Sequence, residues 1–127
     1  MIWKVAVRMV KIVSWNIAQR KEPWRVLSDS DADIALLQEA TEPPDEVAGT
    51  IKINPAPWET VGAGNNRPWR TAIVQLSDDV EVQWHDAKVL ADAHKGEFSV
   101  SRLGTLAAAT VIPPSGEPFV VVSMYAL

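Results

Sequence analysis

Ile12-Val13-Ser14-Trp15-Asn16-Ile17 and Asp33-Ile34-Ala35-Leu36-Leu37-Gln38-Glu39 are the two stretches on which the reading of this chain turns. Each is a short apolar run rich in branched or bulky side chains, the composition of a strand rather than of a surface helix. Both read as buried strands, and the continuous apolar character of the second predicts that both of its faces are covered. Each closes on a group that can ligate or orient a cation: an amide oxygen from Asn16, a carboxylate from Glu39. Hard divalent cations take oxygen ligands, and a magnesium site often needs only one or two carboxylates, with water and phosphate oxygens completing it. Two strands delivering such groups to one sheet edge point to a divalent-cation site. Each residue also has a plainer reading. Asn after a strand is commonly a turn residue bonding its own backbone, and Glu39 can be a strand-end group reaching water.

Outward from this pair, Val10–Ile17 and Asp33–Gln38 read as buried strands. Glu22-Pro23-Trp24-Arg25-Val26-Leu27 suits a short helix, with proline in the first turn where a missing N–H costs little. Residues 43–49 suggest one or two helical turns closed by Gly49, and Thr50–Ile53 a short strand. Residues 54–68 form a loop rich in Pro, Gly and Asn. Thr71–Leu76 and Val80–Trp84 read as a hairpin about Ser77-Asp78-Asp79. Residues 86–97 are ambiguous. Leu106–Ile112 and Pro118–Met124 read as a second hairpin around Pro113-Pro114-Ser115-Gly116-Glu117. Strands dominate the second half, and the few helices come early, so a mixed or mostly antiparallel sheet with helices on one face is expected. The last strand has no helix after it to cover it, and an open strand edge is a hazard that complete domains usually manage.

The 127 residues fit one domain, and a 47% apolar content supports a packed core. Cysteine is absent, which rules out disulfides, thiolate metal sites and a cysteine nucleophile. No apolar run reaches the roughly 18 residues of a membrane span. Residues 1–13 are broken by Lys4, Arg8 and Lys11 and lack the apolar centre of a signal peptide. A cytoplasmic protein is expected. The net charge of −4 is uneven: residues 1–25 carry +5 and the remainder −9. The basic start could attract phosphates or be a solvated face. The acidic remainder argues against passive coating of nucleic acid and suits an enzyme that reaches phosphate through a cation.

Trp15-Asn16 followed by Leu37-Gln38-Glu39 resembles the opening motifs of the endonuclease/exonuclease/phosphatase superfamily, the metal-dependent phosphoesterases related to deoxyribonuclease I and exonuclease III. Three later stretches agree. Arg70-Thr71-Ala72-Ile73-Val74-Gln75-Leu76-Ser77 looks like the central strand of that family, and Leu103-Gly104-Thr105-Leu106-Ala107 like a later one. Val121-Val122-Ser123-Met124-Tyr125-Ala126 looks like the strand that ends on a phosphate-contacting His or Tyr. The resemblance implies that Glu39 binds Mg²⁺ or Mn²⁺, that Asn16 supports the metal and the phosphate, and that Tyr125 contacts the phosphate. Tyr125 also has the plain reading of an aromatic packed at a strand end. The resemblance covers residues 9–127, with residues 1–8 a possible upstream extension. It spans about half of the family's domain, an α/β sandwich that packs two sheets between helices in four layers.

Departures from the family are as informative. A Gly-Asp-x-Asn segment and a terminal Ser-Asp-His segment, which supply the family's remaining acid–base and phosphate-binding groups, are absent. His85 and His94 fall in an expected surface region. No residue presents itself as the general base. In the loop Gly62-Ala63-Gly64-Asn65-Asn66-Arg67-Pro68-Trp69-Arg70, Arg67 and Arg70 are candidate phosphate-binding groups, with Trp69 available to stack. Its Gly-x-Gly lacks the strand-to-helix context of a dinucleotide site. The six tryptophans show no regular stripe and are expected to pack. The expectation is thus the N-terminal half of a metal-dependent phosphoesterase acting on nucleic acid, a phospholipid headgroup or another phosphate ester, with little activity alone. The alternative is a non-catalytic module that pairs through its last strand with another copy or with a separate C-terminal half.

Overall fold

The computed structural model describes residues 9–62 and 66–126. The extension proposed for residues 1–8 and the loop positions Ala63, Gly64 and Asn65 lie outside the described residues. The described residues fold as a mostly-β structure with two short helices and three small sheets, none closed into a barrel. No helix among the described residues is long and apolar enough to cross a membrane.

The first sheet holds β1 (Ile12–Asn16), β2 (Ile34–Ala40), β3 (Lys52–Ile53) and β4 (Arg70–Gln75) in the order β1-β2-β4-β3. β1 and β2 run parallel, with Asn16 beside Gln38, and the remaining pairs are antiparallel. The crossover from β1 to β2 carries helix α1 (Glu22–Ser28), as a parallel pair requires. Pro23 lies in its first turn, and Trp24 and Leu27 form its buried face. Helix α2 (Asp45–Ala48) adds Val47. Both helices cover one face of the sheet, over Ala35, Leu37, Ala72 and Val74. Trp24 is fully enclosed, meets Trp58 edge-on at a centroid distance of 6.2 Å, and donates its indole N–H to the Thr41 carbonyl at 3.2 Å.

The other face of β2 and β4 packs against a second sheet. This holds β5 (Glu81–His85), β8 (Leu106–Ile112) and β9 (Phe119–Met124) in the order β5-β8-β9, all antiparallel. Ile34 and Ile73 of the first sheet meet Ala109, Val111 and Val121 of the second in a continuous core. β6 (Ala87–Val89) and β7 (Phe98–Val100) pair in parallel as a third, two-stranded sheet, linked through a single 3-10 turn at Leu90–Asp92. Phe98 reaches over His85 of β5, ring centroids 5.7 Å apart.

β2 is buried on both faces, as its apolar run predicts, and β4 is buried along its whole length as well. β1 is not: Val13 and Trp15 pack on the helix side, while Ile12, Ser14 and Asn16 are exposed on the other. The second sheet is three strands wide; β9 touches β2 and β4, and the layer stops short of β1. The expected β8–β9 hairpin forms. The expected β4–β5 hairpin does not, because both edges of β4 are taken by β2 and β3. Residues 76–80 instead carry the chain from one sheet to the other. Gln75 secures that arch, its side-chain amide donating to the carbonyls of Ser77 at 3.0 Å and Val80 at 2.8 Å.

Candidate functional site

The carboxyl ends of β1, β2 and β9 lie at one rim of the molecule. In β2, Leu37 pairs with Ala72 and Ala40 with Arg70, so Gln38 and Glu39 together oppose Thr71 alone. This is a β-bulge, a device that re-aims a side chain out of the pleat. Glu39 adopts φ +51°, a left-handed conformation that L-residues other than Asn, Asp and Gly rarely take. The loop after β1 shares the strain: Ala18 has φ +48° and Gln19 φ +62°. These three are the non-glycine residues with positive φ among the described residues, and they are stitched together. The Gln19 amide donates to the Glu39 carbonyl at 2.9 Å, and the Ile17 amide to the Gln38 carbonyl at 3.1 Å. Such strain persists only where surrounding structure enforces it, and it concentrates at functional sites.

Tyr125 follows β9, its amide held by the Thr105 carbonyl at 2.9 Å. Its hydroxyl donates to Oε1 of Glu39 at 3.3 Å, joining groups 86 residues apart. Both side chains are half-buried. Directly beneath, Gln38 Nε2 donates to Ser123 Oγ at 2.9 Å, and Ser123 Oγ donates to the Leu37 carbonyl at 2.8 Å.

Asn16 comes to the same rim through its backbone, beside Gln38. Its side chain is exposed, and its Oδ1 accepts the amide of Ala18 at 3.0 Å. The turn-forming reading of Asn16 is therefore realised. The oxygen keeps a second lone pair, and Nδ2 has no partner among the described residues.

Arg67 and Arg70, adjacent in the loop, separate in space. Arg67 is exposed, with its guanidinium 5.6 Å from the Trp69 ring centre and its backbone paired with Thr60 in both directions at 2.9 Å. Arg70 is 2% exposed and opens β4 beside Ala40. Its Nη1 donates to Asn54 Oδ1 at 3.0 Å and the Thr71 carbonyl at 3.2 Å, and its Nη2 to the Asn54 carbonyl at 2.7 Å. Trp58 lies over it at 4.2 Å, and Nε is buried with no hydrogen-bond partner. No carboxylate pairs with it among the described residues. Burial pulls the guanidinium down to about 10, so it remains cationic at neutral pH. Arg70 forms part of the wall of a cavity of about 250 Å³, together with Asn54, His85, Asp86, Leu103 and Gly104.

His85 is half-buried in β5, not in a surface segment, and its Nε2 lies 2.7 Å from Thr110 Oγ1. His94 is exposed, as expected, its amide bonded to Glu97 Oε1 at 2.8 Å.

A cluster of three or more His, Asp or Glu able to hold a metal is absent among the described residues. The donors at the rim are one carboxylate, one phenol and one amide. That set fits a strongly hydrated Mg²⁺ or Mn²⁺, which keeps several waters and needs few protein ligands. It does not fit a cation that demands a full protein cage.

Sequence reading missed Gln38, Ser123, Asn54 and Trp58. Ser123 carried a signal, as the one polar residue in the run Phe119-Val120-Val121-Val122-Ser123-Met124. Asn54 and Trp58 carried none, because their roles depend on where Arg70 folds. Comparison of the chain with protein families, curated proteins and solved structures finds no match.

Proposed function

We propose that this chain is the N-terminal portion of a divalent-metal-dependent phosphoesterase of the endonuclease/exonuclease/phosphatase type, with its rim forming half of the active site. The observation that carries the reading is the contact of Tyr125 Oη with Glu39 Oε1, made across 86 residues at the end of the sheet where Asn16 emerges. The resemblance implies that these three residues belong to one site. Strained backbone at Ala18, Gln19 and Glu39 adds weight. The helix layer, the two packed sheets and the mixed strand order agree with one part of a four-layer α/β sandwich.

In this reading Mg²⁺ or Mn²⁺ supplies Lewis-acid stabilisation of charge on the phosphoryl group. Glu39 holds the cation, and Asn16 Nδ2 orients water or a phosphate oxygen. The Tyr125 hydroxyl, now bonded to Glu39, donates to the phosphate. Arg67 reaches the substrate backbone from the exposed loop. Arg70 contributes its fixed charge from beneath and holds Asn54 and Trp58 in place. Among the described residues no group is placed to activate water, so the chain alone is expected to hydrolyse little or nothing.

The chain contains a single tyrosine, which makes the test direct. With ¹³C-tyrosine incorporated, the one Cζ resonance reports on Tyr125. Millimolar Mg²⁺ is expected to move it in the parent protein and leave it unmoved in Glu39→Gln. A resonance indifferent to Mg²⁺ and Mn²⁺ in the parent protein ends the metal reading. For the loop, Arg67→Ala is expected to weaken oligonucleotide or phosphoinositide binding and to flatten its salt dependence. An unchanged salt slope removes Arg67 from the site.

A second reading has its own support. β9 has one edge unpaired among the described strands, and the exposed face of Ile12, Ser14 and Asn16 lies on that same side. A strand added to β9 would cover that face. A module that pairs there with a second copy or a separate C-terminal half accounts for this without catalysis.

A further inference from the structure

We infer that Gln38 and Ser123 are positioning residues: a buried polar clamp between the two sheets that sets the contact of Glu39 with Tyr125. The inference deepens the reading in which these two residues share one site, and rests on it. Ser123 is 1% exposed, on the inner face of β9 alongside Phe119 and Val121. Everything around that face is apolar, and a hydroxyl there needs partners to offset its lost hydration. It has two. It accepts from Gln38 Nε2 at 2.9 Å and donates to the Leu37 carbonyl at 2.8 Å. Gln38 Nε2 has a second contact, to the Leu36 carbonyl at 3.3 Å. The clamp thus ties two side chains to the backbone of β2, with its own donors used.

Its placement gives it a purpose that packing alone does not. Apolar contact between the sheets is non-directional, and the bond from the Thr71 amide to the Gly104 carbonyl at 2.8 Å joins β4 to the approach of β8, not β2 to β9. Between β2 and β9 the directional bonds among the described residues are those of the clamp. A hydrogen-bonded pair is directional and tolerates little displacement. Gln38 immediately precedes Glu39, and Ser123 lies two residues before Tyr125. A slip of one residue moves a strand by about 3.3 Å, which is enough to break the Tyr125–Glu39 contact. The clamp also lies beside the bulge that turns Glu39 toward the rim, where β2 lacks regular ladder pairing with β4. Groups behind a metal ligand fix its orientation, and their loss commonly weakens metal affinity by about 10–100-fold.

The test uses the lone tyrosine without metal. Glu39→Gln is expected to shift the Tyr125 Cζ resonance in the parent protein. In a Ser123→Ala background, or in Gln38→Leu, the same Glu39→Gln change is expected to produce no shift. Ser123→Thr, which keeps the hydroxyl, is expected to restore it. Circular dichroism and tryptophan emission establish that each variant is folded, and Gln38→Leu serves should Ser123→Ala unfold. A Glu39-dependent shift that survives in folded Ser123→Ala and Gln38→Leu overturns the clamp. So does the absence of any shift on Glu39→Gln in the parent, because there is then no contact to position. Mg²⁺ titration is read separately: with metal bound, the clamp variants are expected to need about 10–100-fold more Mg²⁺ for half the effect. Indifference of the parent to Mg²⁺, with the metal-free coupling intact, defeats the phosphoesterase reading and leaves the clamp standing.

Discussion

Glu39 sets its own backbone against its side chain. A left-handed conformation costs an L-residue roughly 1–2 kcal/mol, and this one is imposed at φ +51° by the bulge and the bond from Gln19. Glycine would adopt it freely but loses more freedom on folding, about 0.5–1 kcal/mol. Glu39→Gly is therefore expected to leave the unfolding free energy unchanged or raise it by up to about 1.5 kcal/mol, read by urea denaturation, while abolishing any response to Mg²⁺. A loss beyond that size would show that the side chain contributes more to stability than its backbone costs. The candidate residues were legible in the sequence because a carboxylate or amide at the end of an apolar run is chemically conspicuous. The strain was not, since nothing in the composition of Gln38-Glu39-Ala40 announces a bulge. Arg70 illustrates the opposite limit: it reads as an exposed loop cation and is a buried one, because it falls on the first residue of a central strand under Trp58.

At the level of elements, Gly104, just before β8, packs tightly against the backbone of the loop that leads to β4. It has φ +94°, and a Cβ there would stand 2.4 Å from the Glu59 carbonyl oxygen and 2.8 Å from Thr60 Cα. Its own carbonyl accepts the Thr71 amide at 2.8 Å, tying the approach to β8 onto the start of β4. Gly104→Ala adds backbone strain and a clash with main chain that cannot rotate away. A loss of roughly 2–4 kcal/mol is expected by denaturant melting; a change below 1 kcal/mol would mean that loop 54–61 yields easily. The third sheet is paired through its backbone and carries a surface ion pair, Lys88 with Glu97, Nζ and Oε2 2.9 Å apart. The Lys88 bond holds Glu97 below the usual carboxylate range, so its contribution is present above that range and lost as the pH falls through it. Glu97 in turn holds Lys88 above its usual value, and that contribution is lost as the pH rises past the ammonium range. Amide protection in residues 87–100 is expected to fall at both extremes, and Glu97→Gln to erase the acid step. This sheet was illegible in the sequence, its two three-residue strands being too short to show a period. The misread hairpin at residues 71–84 has a different cause. Turn residues such as Ser77-Asp78-Asp79 suit a tight hairpin and a sheet-to-sheet arch equally, and only the neighbours of β4 decide.

For the whole molecule, two cores share one strand pair. β2 and β4 carry the helices on one face and the second sheet on the other, and β1 and β9 border the uncovered side. Val120 and Met124 of β9 remain 54% and 65% exposed. Weak, concentration-dependent self-association is expected in sedimentation velocity, and Val120→Lys with Met124→Lys is expected to suppress it, since charge on an edge strand discourages pairing. A monomer at every concentration removes support from the pairing module. A mixed sheet with helices on one face followed from the early helices and the later strands, whereas the packing of a second sheet was implied only by the family resemblance. The exposure of β1 did not follow, because an apolar run reports what a strand could bury, not what lies against it.

The contact of Glu39 with Tyr125 has a consequence in time as well as in space. A ribosome releases Glu39 long before its partner: at about 5–20 residues per second, the intervening 86 residues take roughly 4–17 s. Throughout that interval the carboxylate exists on a nascent chain without the phenol that meets it, and without the strand that bears Ser123. The rim therefore cannot assemble until β9 has been made, and its signature in the lone tyrosine marks a long-range joining rather than a local one.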